Sequence, residues 1–266
     1  MQVLINHGLT PQEIFFYRFL IAYIGIWAIS PKHLFADNLK DELWLVAGGV
    51  FGGSLYFFTE NTALGITQAS NVAFIICTAP LLTTILSLLF YKSEKATKGL
   101  IYGSLLALIG VGLVVFNGSV VLKLSPVGDL LTLLAALSWA FYSLVIKRMT
   151  GRYPTVFITR KIFFYGVLTI LPAFLLHPLQ PDFDVLLQPL VLSNLLFLAV
   201  LASLICYILW NVVLKQLGTM RASNYIYLNP LVTMVASVLI LHEQITWITL
   251  MGAACIILGV YLAEKK

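Results

Sequence analysis

Two ionisable residues, Arg18 and Glu60, stand inside long apolar runs of the chain. Charge at that depth in a bilayer is costly, so such groups pair with one another, line an ion or solute path, or reach back toward the interface. Arg18 sits about five residues, roughly 7–8 Å, from one end of its run. Glu60 lies at a similar depth in the next run, which must travel the opposite way. The two could pair as a gate, or Glu60 could carry a proton, while Arg18 could equally serve as a structural anchor. A second group is polar but uncharged. Asn71 and Thr78 share one helical face, and Tyr225, Asn229 and Thr233 recur at every fourth position of a later run. Such stripes face protein or water in a membrane, as interhelical hydrogen bonds or as the wall of a pathway. Trp139 and Tyr142 lie mid-run, away from the interfacial belt where Trp and Tyr are usually held, and could shape a cavity or pack a core. Arg160 and Lys161 stand where a run begins, as anchors or as an attraction for anions.

The elements that must position these residues follow from composition. Apolar residues make up 60% of the chain and charged residues only 10%. A soluble domain carries far more charge and cannot hide so much apolar surface, whereas a bilayer can act as its solvent. The net charge of +5 could suggest nucleic acid, but Lys and Arg lie in short gaps between apolar runs, not on a basic stripe. Runs of about 20 apolar residues fall at 13–30, 44–65, 68–91, 98–117, 126–147, 156–176, 189–213, 221–241 and 245–263. They predict an all-α polytopic membrane protein of about nine transmembrane helices. Pro80, Pro172 and Pro230 fall inside these spans, where a missing N–H bends or breaks a helix.

Every Lys and Arg except Arg18 and Lys123 falls in one alternating set of gaps or in the C-terminal tail. The positive-inside rule places those gaps, and the C-terminus, in the cytoplasm. The remaining chemistry is sparse. Cys77, Cys206 and Cys255 show no metal spacing and read as small buried hydrophobes. His7, His33, His177 and His242 lie in or near loops, and no nucleotide-binding motif occurs, so neither a metal nor another cofactor is expected.

The chain also repeats itself. Ala69-Ser70-Asn71 returns as Ala222-Ser223-Asn224, and an interior proline follows each. The pattern Glu-x8-Gly-x6-Gly closes both blocks, as Glu94, Gly103, Gly110 and as Glu243, Gly252, Gly259. Pro11 with Arg18 parallels Pro154 with Lys161. The loop holding Glu94 is basic and falls inside, whereas the loop holding Glu243 falls outside, so the two copies point opposite ways across the membrane. Inverted repeats are a signature of secondary transporters, with the solute site near the midplane between the halves. The repeats cover 1–117 and 126–263, as four and five helices. The span at 126–147 has no counterpart in the first half. That counterpart belongs just before residue 13, where residues 1–8 resemble the tail of a helix, so an upstream segment of about 25–30 apolar residues is expected.

These features resemble the drug/metabolite transporter superfamily, specifically its EamA type. The resemblance rests on Leu9-Thr10-Pro11-x6-Arg18, the two Ala-Ser-Asn blocks with their proline and glutamate, the paired Gly-x6-Gly helices, and Ala136-Leu137-Ser138-Trp139-Ala140-Phe141-Tyr142 followed by Lys147-Arg148. It implies ten helices in two inverted five-helix repeats with both termini cytoplasmic, and movement of amino acids, sugars or other metabolites, commonly outward. On this reading the chain is a multi-pass protein of the bacterial cell membrane. Its partners are a small-molecule substrate and lipid, with a homodimer left open. Asn71, Thr78, Trp139, Tyr142, Tyr225 and Asn229 are the expected pathway residues, and Arg18 with Glu60 the expected gate or ion-coupling pair. A membrane-embedded enzyme and a non-transporting structural protein are the rival functions.

Overall fold

The computed structural model describes residues 2–30, 34–91, 95–116, 125–175, 178–179, 183–241 and 246–265. His33, Glu94, Lys123, His177, His242 and Glu243 lie outside the described residues. Among the described residues the secondary structure is entirely helical. Seven helices among the described residues are long and apolar enough to cross a bilayer: Pro11–Ile29, Ala69–Phe90, Lys98–Phe116, Pro126–Thr150, Thr155–Leu175, Pro189–Leu217 and Trp247–Glu264. The other two expected spans coincide with composite segments. One joins α3 (Leu39–Gly49) through a π-helical turn at Val50–Ser54 to α4 (Leu55–Ile66), and five glycines and Glu60 dilute its apolar character. The other joins α13 (Thr219–Asn224) through a 3₁₀ turn at Tyr225–Leu228 to α14 (Asn229–Leu241).

The remaining helices are α1 (Gln2–Asn6), α2 (Pro11–Ile29), α5 (Ala69–Ile76), α6 (Ala79–Phe90), α7 (Lys98–Phe116), α8 (Pro126–Thr150), α9 (Thr155–Ile170), α10 (Phe183–Leu186), α11 (Pro189–Leu196), α12 (Cys206–Leu217) and α15 (Trp247–Glu264). A second π-helical segment, Phe197–Ile205, links α11 to α12. Local sequence sets the starts. Thr10 and Glu13 form a reciprocal capping box with Pro11 at the first helical position of α2. Asn38 caps α3 by accepting from the Asp41 N–H at 2.8 Å.

All three interior prolines coincide with a departure from α geometry. Proline cannot donate, and its ring clashes with the carbonyl four residues back. Ahead of Pro80, α5 ends at Ile76, and the chain turns through Cys77 and Thr78, whose N–H groups reach Phe74 O at 3.2 Å and Ile75 O at 2.9 Å. Pro172 lies in a 3₁₀ turn at Leu171–Leu175, and Pro230 follows the one at Tyr225–Leu228.

The chain divides into two compact units, and each takes one block from either half of the sequence. The first contains Met1–Phe58 and Phe141–Gln216, the second Thr59–Ala140 and Leu217–Lys266. In the first unit, α2 packs on the π segment of residues 197–205 and on α9, and α9 packs on α3 and on the π turn at residues 50–54. In the second unit, α7 and α15 lie against one another along their length. Their glycines make this approach feasible. A Cβ on Gly103 would stand 2.4 Å from Gly259 O, and one on Gly110 would stand 2.6 Å from Gly252 O. Long apolar side chains such as Ile24, Ile109, Leu239 and Leu258 are exposed on the helix surfaces, as lipid contact requires.

Candidate functional site

In the first unit Arg18 is buried against the π segment of residues 197–205. Its Nε donates to Ser203 Oγ at 2.8 Å, its terminal nitrogen to Ala202 O at 3.4 Å, and its guanidinium lies 4.7 Å from the centre of the Phe57 ring. The π geometry makes this seat. It adds a residue to the turn and pulls carbonyls off the regular ladder, leaving them open to side-chain donors. Ser203 Oγ itself donates to Leu198 O five residues back, at 2.8 Å. The other π turn behaves alike, for Gly52 O accepts from the Tyr207 hydroxyl at 2.5 Å.

Tyr142 lies in the same unit and is fully buried. Its hydroxyl donates to Asn211 Oδ1 at 2.7 Å, and Asn211 Nδ2 donates to Thr159 Oγ1 at 2.9 Å. Gly52 makes room for the tyrosine, since a Cβ there would meet the ring at 2.3 Å. Phe19, Phe163 and Tyr207 close around this network, with ring centres 5.1–5.7 Å apart.

An ionic cluster ties α3 to α9 and the turn before it. Asp41 is buried and accepts from Arg152 at 2.8 and 3.0 Å and from the Tyr153 hydroxyl at 3.1 Å. Glu42 accepts from Lys161 and from the Tyr165 hydroxyl through one oxygen, and from the Ala36 N–H through the other. Arg160 is buried and donates to Ser30 O. Both carboxylates precede the span expected at 44–65. Burial alone would push them up. The hydrogen bonds from Arg152, Asn38 and Tyr153 outweigh it at Asp41, those from Lys161, Tyr165 and Ala36 outweigh it at Glu42, and both are held below the ordinary carboxylate range.

The other expected pathway residues belong to the second unit. Asn71 is buried in the first turn of α5, and Thr78 stands at the helix break, its hydroxyl donating to Ile75 O at 2.7 Å. Tyr225 opens the 3₁₀ turn, partly exposed, with its hydroxyl within reach of the Glu264 carboxylate. Asn229 is exposed one residue before Pro230, and its carbonyl accepts from Thr233 at 3.1 Å. Trp139 is half-buried in α8, and Glu60 half-buried in α4. Beside them the unit holds buried polar residues that sequence reasoning passed over. Ser87 and Thr219 bond at 3.1 Å, Ser104 donates to Asn224 Oδ1 at 2.8 Å, and Thr83, Ser223 and Tyr227 are fully buried. The second Ala-Ser-Asn block was the available signal for Ser223 and Asn224. Nothing in hydropathy marks Ser203 or Asn211, because each is a lone polar residue in an apolar run.

The model of the EamA-like transporter family matches residues 1–116 and 126–264. The chain belongs to the EamA-like transporter family. With its seven apolar helices it is a multi-pass membrane protein of a transporter family. An uncharacterized transporter of Archaeoglobus fulgidus is 28% identical over 262 residues, covering 97% of this chain and 89% of its own. The uncharacterized transporter YyaM of Bacillus subtilis is 30% identical over 228 residues, covering 81% of this chain and 70% of its own. A probable amino-acid metabolite efflux pump of Salmonella typhimurium is 26% identical over 269 residues, with coverage of 96% and 86%. A protein of known crystal structure matches 96% of this chain and 89% of its own with a TM-score of 0.80 at 17% identity, a likeness of fold.

Proposed function

We propose that this EamA-family protein is a secondary carrier that moves a small polar metabolite, of the amino-acid class, outward across the cell membrane by alternating access. The observation that carries the reading is the family match over nearly the whole chain, in two segments. The amino-acid class is supported by the relatives named as probable amino-acid metabolite efflux pumps in Salmonella typhimurium and Escherichia coli. In this reading nine spans form two inverted repeats, 1–117 and 126–263, with the C-terminus in the cytoplasm. The distribution of Lys and Arg supports that orientation. The reciprocal glycine contacts of α7 and α15 support the repeats, since each helix offers its partner the same two glycines.

Asn71, Thr78, Trp139, Tyr225 and Asn229 line the route, where a solute leaving water must find replacement hydrogen bonds. Tyr142, bonded to Asn211 and fully buried, serves transport as a positioning residue. Arg18 and Glu60 serve as gate or ion-coupling candidates. The test is retention in cells. Bacteria that overproduce the protein are loaded with radiolabelled amino acids, and the label left inside is compared with that in cells carrying the empty vector. Faster loss of at least one amino acid is expected. Equal retention across the whole panel, with the protein present in the membrane, would overturn the proposal.

A further inference from the structure

The second unit contains a group of buried polar atoms that find no partner among the described residues. There Thr83 Oγ1, Ser223 Oγ and Asn224 Nδ2 make no hydrogen bond, and the Tyr227 hydroxyl has only Ser104 beside it. All four residues are fully buried. Folded proteins leave few buried polar groups unsatisfied, so several of them together call for an explanation, and a bound occupant supplies one.

Connectivity brings them together. The glycine contacts pair Gly103 with Gly259 and Gly110 with Gly252, so α7 and α15 run antiparallel. At one end of α6, Cys77 packs in one cluster with Tyr227, and toward the other end Ser87 bonds to Thr219, so α6 and α13 also run antiparallel. The bond between Ser87 and Thr219 sets their register. One turn along each helix from that bond lie Thr83 and Ser223, opposite one another, and Tyr227 follows one turn beyond Ser223. Asn224 Oδ1 already accepts from Ser104, which directs its NH₂ group elsewhere.

The location carries further weight. Thr83 lies just after the break at Cys77–Thr78, and Ser223 and Asn224 lie just before the 3₁₀ turn at Tyr225–Leu228. Irregular backbone at membrane depth is tolerated where it is buried in protein or lines a polar cavity, and discontinuous helices mark solute sites in secondary transporters. The unused capacity is rich in donors: an amide NH₂ can only donate, and each hydroxyl has a proton to give beside its lone pairs. The group therefore suits an acceptor oxygen.

We infer that Thr83, Ser223 and Asn224 form a subsite for an acceptor oxygen of the transported solute, such as the carboxylate of an amino acid. The inference rests on the transport reading above. A bound water offers the same acceptor, so the test must separate the two.

Thr83→Val and Ser223→Ala remove the hydroxyls at nearly constant shape, and Thr83→Ser retains one. Each purified full-length variant is assayed in proteoliposomes with the radiolabelled amino acid that the wild type carries fastest, and its thermal unfolding is measured. The expected result is a KM raised about tenfold in Thr83→Val and Ser223→Ala, an almost normal KM in Thr83→Ser, and little change in Tm. An unchanged KM with a raised Tm identifies a dry core, and an unchanged KM with a lowered Tm identifies bound water alone; either overturns the subsite. If the wild type carries no amino acid, the transport reading fails and the inference falls with it, an outcome distinct from a normal wild type with indifferent variants.

Discussion

Gly103 and Gly259 face one another so closely that a Cβ on the first would stand 2.4 Å from the carbonyl oxygen of the second, and a Cβ on the second 2.5 Å from that of the first. Backbone cannot move aside as a flexible side chain can. Gly103→Ala and Gly259→Ala should each destabilise the protein by about 2–3 kcal/mol, as overpacking does. Gly65 has nothing within 4 Å of its added Cβ, so Gly65→Ala should leave stability unchanged or raise it slightly. Unfolding in detergent monitored by tryptophan fluorescence checks all three. Equal effects at the three sites would contradict a close crossing of α7 and α15.

The seat of Arg18 predicts a graded response. Ser203→Ala removes one acceptor and should cost about 1–2 kcal/mol, whereas Arg18→Ala empties the seat and should also impair transport. Glu60→Ala should slow transport as well, and a double-mutant cycle on transport rate reads the coupling of the two residues. Normal transport by Glu60→Ala would exclude it as an ion-coupling residue.

Glu42 predicts the response to acid. Its carboxyl titrates below the ordinary glutamate value of about 4.5 because the Lys161, Tyr165 and Ala36 hydrogen bonds outweigh burial. A group whose value is lowered by folding contributes stability that is fully present above the unfolded value and lost as pH falls through the lower folded one. Thermal stability should therefore hold from neutral pH to about pH 5 and fall below about pH 4. Glu42→Gln leaves Lys161 buried without its counter-charge and should cost about 3 kcal/mol at pH 7. It should also flatten the acid limb, with a remainder due to Asp41, which shifts in the same direction.

Much of this architecture is legible from residue types alone. Apolar runs locate the helices because bilayer thickness sets their length, and Pro80, Pro172 and Pro230 announce irregular turns because a missing donor is a local fact. The Gly-x6-Gly pairs announce a close crossing for the same reason. The π segments are not legible, since Phe197–Ile205 has the composition of any apolar helix. Its geometry answers to tertiary contacts, namely Arg18 on Ala202 and Ser203. Tyr142 was legible as an unusual mid-span aromatic, but its partner Asn211 lies 69 positions away, a pairing that no local pattern encodes. The division into units that each draw on both sequence halves is equally a property of packing.

Tyr142→Phe separates packing from pathway. Loss of the hydroxyl leaves Asn211 Oδ1 without its donor and should cost about 1–3 kcal/mol of stability. As a positioning residue, Tyr142 should change the maximal rate more than KM. Asn71→Ala, on the proposed route, should raise KM. If Tyr142→Phe, Asn71→Ala and Trp139→Ala all left KM and maximal rate unchanged at normal expression, the assignment of the route would be wrong.

Solute counterflow tests the central claim most directly. Purified protein is reconstituted into liposomes preloaded with an unlabelled amino acid, and a trace of the same amino acid, labelled, is added outside. A carrier predicts transient accumulation of label above equilibrium, abolished when the internal amino acid is omitted. Label that merely equilibrates, or that enters no faster than into protein-free liposomes for every amino acid tried, would contradict the account.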